Sequence, residues 1–434
     1  MIRKIGKLIR QIRFIFDRRQ KLELTGVLIL IAVTTFIELA GVAVIFPFIE
    51  VLMEPETIRT NQLLWDLYQL GSFQSAEAFL AMMAALMIVV YIVKNLLTIF
   101  SYNFQYRFTF RNQKNIAARM LQAYLAQPYG FHLSHNSSEL IRGINMDVSM
   151  MFQAVLAILG FLAETLVCLV LGAYLLVVDP MMTLLVVAVL GGFVLIFLKK
   201  FRSYLLTIGE EDRNYNLGFV KWLQQSFDGL KETKVLNRES FFQERFEDQY
   251  DHWADLEQVF RSLQMIPKPI METLCIAAIM VAVIIKLLTG TDMRAFVGTI
   301  SVFAVAAFRL LPSFNRLTVY LNAISFNYPA FDAVYRELEQ IEEISGAGCA
   351  FADLKDVEPF DFESAIEVRD LSYRYPTGEK TVLEGLSLSI PKNRSVAFIG
   401  PSGAGKTTLA DIILGVLTPA QGSVYVDGVD VFTD

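Results

Sequence analysis

Long apolar runs alternate with charged stretches over the first three quarters of the chain. Residues 24–49 hold one charge, Glu38; residues 79–106 hold one, Lys94; residues 151–178 hold one, Glu164; residues 180–198 hold none. A bilayer core of about 30 Å takes ~20 mostly apolar helical residues, so each of these four runs is long enough to cross it. Two further runs carry more interruptions. Residues 270–288 contain Glu272 and Lys286 and follow Pro267 and Pro269, and residues 295–317 contain Arg309, Pro312 and Arg316. The pattern predicts six spans.

The stretches between the runs differ in charge. Residues 1–21 carry Arg3, Lys4, Lys7, Arg10, Arg13, Arg18, Arg19 and Lys21 against Asp17, and the connections at 107–147 and 199–250 are also rich in Lys and Arg, whereas 54–77 has only Arg59. Because Lys and Arg collect on the cytoplasmic side, this places the N-terminus and both long connections in the cytoplasm, and six spans return the C-terminal segment there too. The expected location is the inner (cytoplasmic) membrane. Ile2, Ile5, Ile9, Ile12 and Phe16 recur at helical spacing among the basic residues. Residues 1–21 therefore read as an amphipathic helix on the inner membrane surface, or else as a plain basic tail. The apolar run behind them is too long for a cleaved leader.

From Arg107 to Gln127 no Gly or Pro occurs, and much of 199–262 is similarly compatible with helix. Both connections are predicted to be helices projecting beyond the membrane. Two stretches at their turns, Pro128–Ser138 with Tyr129 and Phe131, and Asn216–Asn237, are candidate docking elements; a solvated helical hairpin is the alternative.

Composition supports the membrane reading: 54% of the 434 residues are apolar, 19% are charged, and the mean hydropathy is +0.45. The net charge of −6 is unevenly spread, with 13 acidic against 7 basic residues in 344–434 and a balance of 31 to 31 before that. No basic domain supports nucleic-acid binding. Cys168, Cys275 and Cys349 are too scattered for a disulfide framework or zinc site, and His132, His135 and His252 form no metal cluster.

The composition changes at Ser345–Ser364, and short strand-like runs follow at 366–373, 386–390 and 396–399. The last leads into Gly400-Pro401-Ser402-Gly403-Ala404-Gly405-Lys406-Thr407-Thr408, ahead of a helical pattern at 409–417. This is the phosphate-binding G-x-x-x-x-G-K-[ST] loop in its required strand-to-helix setting. Gly400, Gly403 and Gly405 let backbone N–H groups approach phosphate oxygens, and the helix beginning near Lys406 adds its positive end. Lys406 is placed for the β- and γ-phosphates of ATP, and the Thr407 hydroxyl for Mg²⁺. The candidate phosphate-binding set read from the loop is Gly400, Ser402, Gly403, Ala404, Gly405, Lys406, Thr407 and Thr408.

Taken together, six spans with long cytoplasmic helices followed by a P-loop domain resemble an exporter-type half of an ABC transporter, over the whole chain. Leu371-Ser372-Tyr373-Arg374-Tyr375-Pro376 resembles the family segment whose aromatic residue stacks on adenine, which implies that role for Tyr375. Val382–Pro391 resembles the strands leading into the P-loop, with Asn393 where the family usually has Gly, and Gly422–Gly428 resembles the hairpin behind it. The resemblance implies an α-helical transmembrane domain at 22–343, a linker at 344–362 and the first, α/β part of a nucleotide-binding domain at 363–434. It also implies a second copy of the chain as partner. The family's Gln loop, Ser-Gly-Gly signature, Walker B strand with its catalytic Glu, and switch His have no counterpart before Asp434. The 434 residues thus read as a truncated gene product or a fragment, expected to bind ATP poorly and to hydrolyse nothing, with no catalytic residue of its own.

Glu38-Leu39-Ala40-Gly41 with Phe46-Pro47-Phe48, and Phe308–Arg316, look like the lipid-linked oligosaccharide flippases and related polysaccharide exporters. Glu38 and Arg309 are accordingly candidates for the substrate path. An arginine at membrane depth usually faces a cavity or a partner. Arg309 is expected either to meet the pyrophosphate of a lipid-linked saccharide, or to pair with Glu38 or Glu272, or to snorkel to the interface. Export of a peptide, drug or simple lipid is the alternative within the family. A membrane protein whose defective ATPase module only binds partners is the alternative outside it.

Overall fold

The computed structural model describes residues 10–43, 47–48, 51–52, 55–71, 73, 75–288, 293–345, 360–375, 378 and 380–433. The side chains of 38–43, 63, 178, 286–287, 293–309 and 341–345 lie outside that description. Contacts divide the chain into two compact units, Met1–Ala117 with Asn145–Glu337, and Ala118–Ile144 with Leu338–Asp434.

The first unit is built from long helices: α1, Arg18–Ala43; α2, Gln62–Leu70; α3, Ala76–Leu125; and, beyond residue 144, α4, Val148–Val178; α5, Pro180–Asp228; α6, Leu230–Leu236; α7, Glu239–Met265; α8, Pro267–Leu288; and α9, Met293–Ser345. At 1.5 Å per residue, the 50 residues of α3 extend about 75 Å, more than twice a bilayer core. The second span thus continues as uninterrupted helix, as the absence of Gly and Pro beyond Arg107 predicts, and the fourth runs on to Asp228 through Gly209 and Gly218. The break between α4 and α5 is local chemistry: Asp179 leaves the helical conformation and caps α5 by accepting from the Met182 N–H at 3.1 Å, with Pro180 in the first turn where its missing N–H costs nothing.

Among the described residues, five helical stretches are long and apolar enough to cross a membrane: Arg18–Ile37, Ala76–Leu125, Ser137–Val177, Pro180–Asp228 and Glu239–Ile285. The expected sixth span, 295–317, falls within α9, but most of its side chains lie outside the description.

Apolar residues spaced by four make the seams between helices. Val186, Leu190 and Val194 of α5 pack with Met271, Cys275 and Ala278 of α8. Val167, Leu171 and Leu175 of α4 meet Met182, Ala282 and Leu310. Toward the far end of α5, Leu205 and Ile208 join Met150, Phe260, Leu263, Phe326 and Ala330, with the Phe260 and Phe326 rings stacked 3.8 Å apart. Other apolar side chains of the bundle point outward, such as Ile29, Val33 and Phe36 of α1 and Ile92, Leu96 and Ile99 of α3. Such a two-sided apolar surface suits lipid on one face and protein on the other.

Residues 10–15 are helical and bend at Phe16 before α1. At the end of that helix Ile15 and Phe16 pack against protein. Ile15 and Phe16 are each 2% exposed, the Phe16 ring lies 5.9 Å from Phe108 and 6.1 Å from Phe152, and Gln11 donates to Asp332 at 2.6 Å. Residues 1–9 of the expected surface helix lie outside the described residues.

In the second unit, residues 118–144 complete α3 and add two short helical segments, Tyr129–Ser134 and Ser137–Arg142. Asn136 separates them, its side chain accepting from the Ser138 N–H at 3.0 Å. The remainder holds strands β1, Ala365–Tyr373; β2, Leu383–Pro391; β3, Gln421–Val426; and β4, Val429–Asp430, with helix α10, Lys406–Ile413. The strands form one antiparallel sheet in the order β2-β1-β3-β4. Alternation, reset by a register shift between Val368 and Leu371, puts Val368, Leu371, Tyr373, Leu383 and Val424 into its core, where Leu409 and Ile412, one turn apart on α10, cover them.

One expected strand is corrected. Residues 394–400 have no regular structure, and Val396 and Ile399 are 49% and 95% exposed. Apolar and β-branched residues favour a strand, but a strand exists only where a neighbour pairs with it, and the described residues place none beside 396–399.

Candidate functional site

The loop from Gly400 to Gly405 leads into α10 and is shaped by backbone constraints. Gly403 and Gly405 lie at φ 85° and 81°, a region costly for residues with a Cβ. At Gly405 a Cβ would also stand 2.9 Å from Leu383 Cδ2 and 3.1 Å from Val382 Cγ1, so the residue type is set by conformation and packing together. Above Gly403 a Cβ would meet nothing within 4 Å, so the loop faces open space there. Gly405 offers α10 no side-chain cap, which leaves the first-turn N–H groups of that helix available to an anion.

Lys406 folds back across this loop, its Nζ donating to the carbonyl oxygens of Gly400 at 2.9 Å and Pro401 at 2.8 Å. An ammonium held by two carbonyls at the rim of an uncapped helix end is poised to exchange them for phosphate oxygens. Thr407 and Ser402 are exposed, whereas Thr408 is buried and its Oγ1 is 2.9 Å from the Tyr375 hydroxyl. Tyr375 is half-buried and its ring meets Tyr373 edge-on at 5.0 Å. The structure thus brings Tyr375 to the P-loop helix from 33 residues away in sequence. Asn393 occupies φ 63°, the left-handed conformation that Asn tolerates where the family usually has Gly.

A carboxylate outside the P-loop holds the edge of this sheet. Asp427, in the β3–β4 turn at φ 50°, accepts from the backbone N–H groups of Glu363, Ser364 and Ala365. The Glu363 N–H above all, with those of Ala365 and Ser364, holds its carboxyl below the usual carboxylate range. A depressed folded value means the contribution is present above the unfolded value of about 3.9 and disappears as pH falls through the folded value. Asp427→Asn, which also tolerates the left-handed turn, is expected to lower hydrogen-exchange protection of the 363–365 amides near neutral pH. The difference from wild type should vanish in acid. Equal protection in both proteins near neutrality would remove this role.

Of the two candidate substrate-path residues, Glu38 lies in α1 and Arg309 in α9, and the side chains of both are outside the described residues. The membrane bundle instead shows a pair that sequence reasoning did not make. Arg316 Nε, in α9, donates to Glu164 Oε1, in α4, at 2.6 Å. Each was visible as an isolated charge in an apolar run, which marks both as costly in a membrane; their 152-residue separation hid the partnership. Among the described residues, no group of three His, Cys, Asp or Glu is arranged to hold a metal ion, and Cys168 and Cys275 are not in a disulfide.

Comparison with known proteins agrees with this arrangement. The family model described as ABC transporter transmembrane region matches residues 24–308, and the one described as ABC transporter matches residues 383–434. Similar proteins include the ATP-dependent lipid A-core flippases of Aromatoleum aromaticum and Pseudomonas putida. The first is 26% identical over 325 residues, covering 72% of this chain and 50% of the relative; the second is 26% identical over 312 residues, covering 71% and 49%. That of Thiobacillus denitrificans is 25% identical over 321 residues, covering 73% and 53%. The chain spans about half the length of the curated relatives it matches. A multi-helix membrane unit joined to a P-loop segment of the ATP-binding family, matched by both models, means that the chain belongs to the ABC transporters, as a half transporter of the exporter type.

Proposed function

We propose that the protein uses ATP to export, or to flip across the inner membrane, a lipid-linked saccharide. The observation that carries the ATP half is the P-loop itself, with Lys406 resting on two loop carbonyls beside an uncapped helix N-terminus. ATP supplies the free energy of phosphoryl transfer. Around it, the N–H groups from Gly403 to Thr407 would bind phosphate oxygens, Lys406 would exchange its carbonyl partners for the β- and γ-phosphates, and the Thr407 hydroxyl would ligate Mg²⁺. Tyr375, its hydroxyl anchored on Thr408, would offer its ring to adenine. The cargo half is supported by the flippase names of the relatives and by the paired Glu164 and Arg316 kept among apolar helices.

The resemblance to the exporters supports a homodimer, since in that family a second copy completes each nucleotide site and the transport path. The basic N-terminal residues and long basic connections support a cytoplasmic N-terminus and P-loop domain.

Reconstitution of the transporter containing this chain into proteoliposomes tests the reading. With ATP and Mg²⁺, a fluorescent lipid-linked oligosaccharide should become shielded from a membrane-impermeant quencher, and a fluorescent phospholipid or cationic dye should not. Movement of the dye or phospholipid alone would turn the reading to the drug or lipid alternative. No ATP-dependent movement of any of the three, in a preparation that binds ATP, would reject transport of these cargo classes.

A further inference from the structure

Between helices α1, α3, α4, α7 and α9, all within the first unit, lies a cavity of about 330 Å³, within the usual ~300–1,000 Å³ of small-molecule sites. Its wall is unusual for a bundle of apolar helices. Thr35, Ser101, Gln105, Gln153 and Asn327 bring hydroxyl and amide groups to it, and Tyr102, Tyr106 and Tyr320 bring aromatic faces with phenolic hydroxyls. The Tyr102 and Tyr106 rings lie 6.4 Å apart at 22° on one face of α3. Across from them, Tyr320 seats its ring where a Cβ on Gly160 would be, 2.3 Å from the nearest ring atom.

The charges on the wall are matched, with one remainder. The lining residues include two charged side chains, Arg261 and Glu164. Arg261 is bonded to Glu257 at 2.6 Å, so it presents no unmatched cation to a phosphate. Glu164 is 6% exposed; its Oε1 is taken by Arg316, and its Oε2 is buried without a hydrogen-bond partner. A buried carboxylate oxygen left without a donor is costly, and in a bilayer no bulk water makes up the loss. The group that would satisfy it is a hydrogen-bond donor without negative charge.

We propose that this cavity binds the neutral, polyhydroxylated part of the cargo, a sugar ring, with Glu164 Oε2 accepting from a sugar hydroxyl. The hydroxyl and amide side chains meet the remaining hydroxyls, and the tyrosine faces cover the apolar face of the ring. This rests on the saccharide reading above and adds that the sugar, and not a phosphate, is read here. Arg316 acts through Glu164, as a positioning residue that fixes the carboxylate through the 2.6 Å bond to Oε1.

The test uses the 434-residue chain in lipid nanodiscs and two photoreactive probes with the same alkyl chain, dodecyl maltoside and dodecyl phosphate, each carrying a diazirine beside the head group. Dodecyl maltoside should label peptides containing residues 98–106, 153–167 and 319–327, in competition with unlabelled dodecyl maltoside; dodecyl phosphate should not. The double variant Glu164→Gln, Arg316→Gln keeps the pair neutral and polar, so thermal unfolding in nanodiscs should stay near wild type while cavity labelling falls by about tenfold or more. Equal cavity labelling by both probes overturns the proposal, as does undiminished labelling in a folded double variant. Either result leaves the export reading to its own transport assay, where a moving saccharide lipid would show that only the location of its sugar was misassigned.

Discussion

On the proposed reading, Lys406→Ala is expected to abolish ATP-driven transport while the protein still inserts and folds in the membrane. Lys406 crosses the P-loop, with its Nζ on the Gly400 and Pro401 carbonyls. In the proposed ATP complex that ammonium would be the point charge at the β- and γ-phosphates, and its loss would remove an interaction that strengthens as charge develops on the transferring group. Losing one such donor typically lowers turnover by about 10²–10³-fold, which puts the variant at the background of a proteoliposome assay. Gly403 and Gly405 keep the loop's turn, and the sheet core of Val368, Leu371, Leu409 and Ile412 does not contain Lys406, so folding is spared. The measurements are ATP-dependent cargo movement and, separately, membrane extraction and thermal unfolding. A variant that transports at the wild-type rate would exclude the P-loop assignment, and one that fails to insert would place Lys406 in folding.

Breaking the Glu164–Arg316 pair on one side is expected to cost more stability than removing both charges together. Glu164 is buried, with 8% of its side chain exposed, while Arg316 retains 39%. A fully buried pair deprived of one member loses about 3–5 kcal/mol, and the partial exposure of Arg316 reduces the expectation to roughly 2–4 kcal/mol for Arg316→Gln, which strands the buried carboxylate. Glu164→Gln should cost less, because Arg316 can reach solvent or headgroups. The double variant should recover most of the loss, so that the cycle shows a coupling of about 1–3 kcal/mol. Unfolding in detergent or nanodiscs measures all four corners. An additive cycle would mean that the two groups, though 2.6 Å apart, are energetically independent.

Much of the architecture was legible without coordinates because it rests on local rules. Runs near twenty apolar residues announce membrane helices, and the absence of Gly and Pro beyond Arg107 announces that α3 continues to Leu125. G-x-x-x-x-G-K-T announces both the turn and the chemistry of the P-loop, since each glycine answers a backbone requirement a few residues long. Asn393 at φ 63° belongs to the same class, being a position whose conformation is readable from the residue type.

What tertiary structure decided depends on groups far apart in the chain. Helical spacing of Ile12 and Phe16 is the same whether their partner is lipid or protein; only packing shows Phe16 against Phe108 and Phe152. An apolar, β-branched stretch at 396–399 satisfies strand propensity, yet a strand needs a paired neighbour, which propensity does not contain. Arg309 was the arginine that membrane-depth reasoning singled out, and the pair observed uses Arg316 and Glu164, chosen by which faces of α9 and α4 the bundle turns toward each other. Tyr375 reaching Thr408, and hydroxyl and amide side chains from five helices meeting around one cavity, are likewise products of packing. Sequence alone determined the membrane helices and the phosphate loop, because hydrophobic length and backbone conformation are properties of short segments. The charge pair and the polar cavity came from the fold, because they exist only once distant helices settle their relative rotation and register.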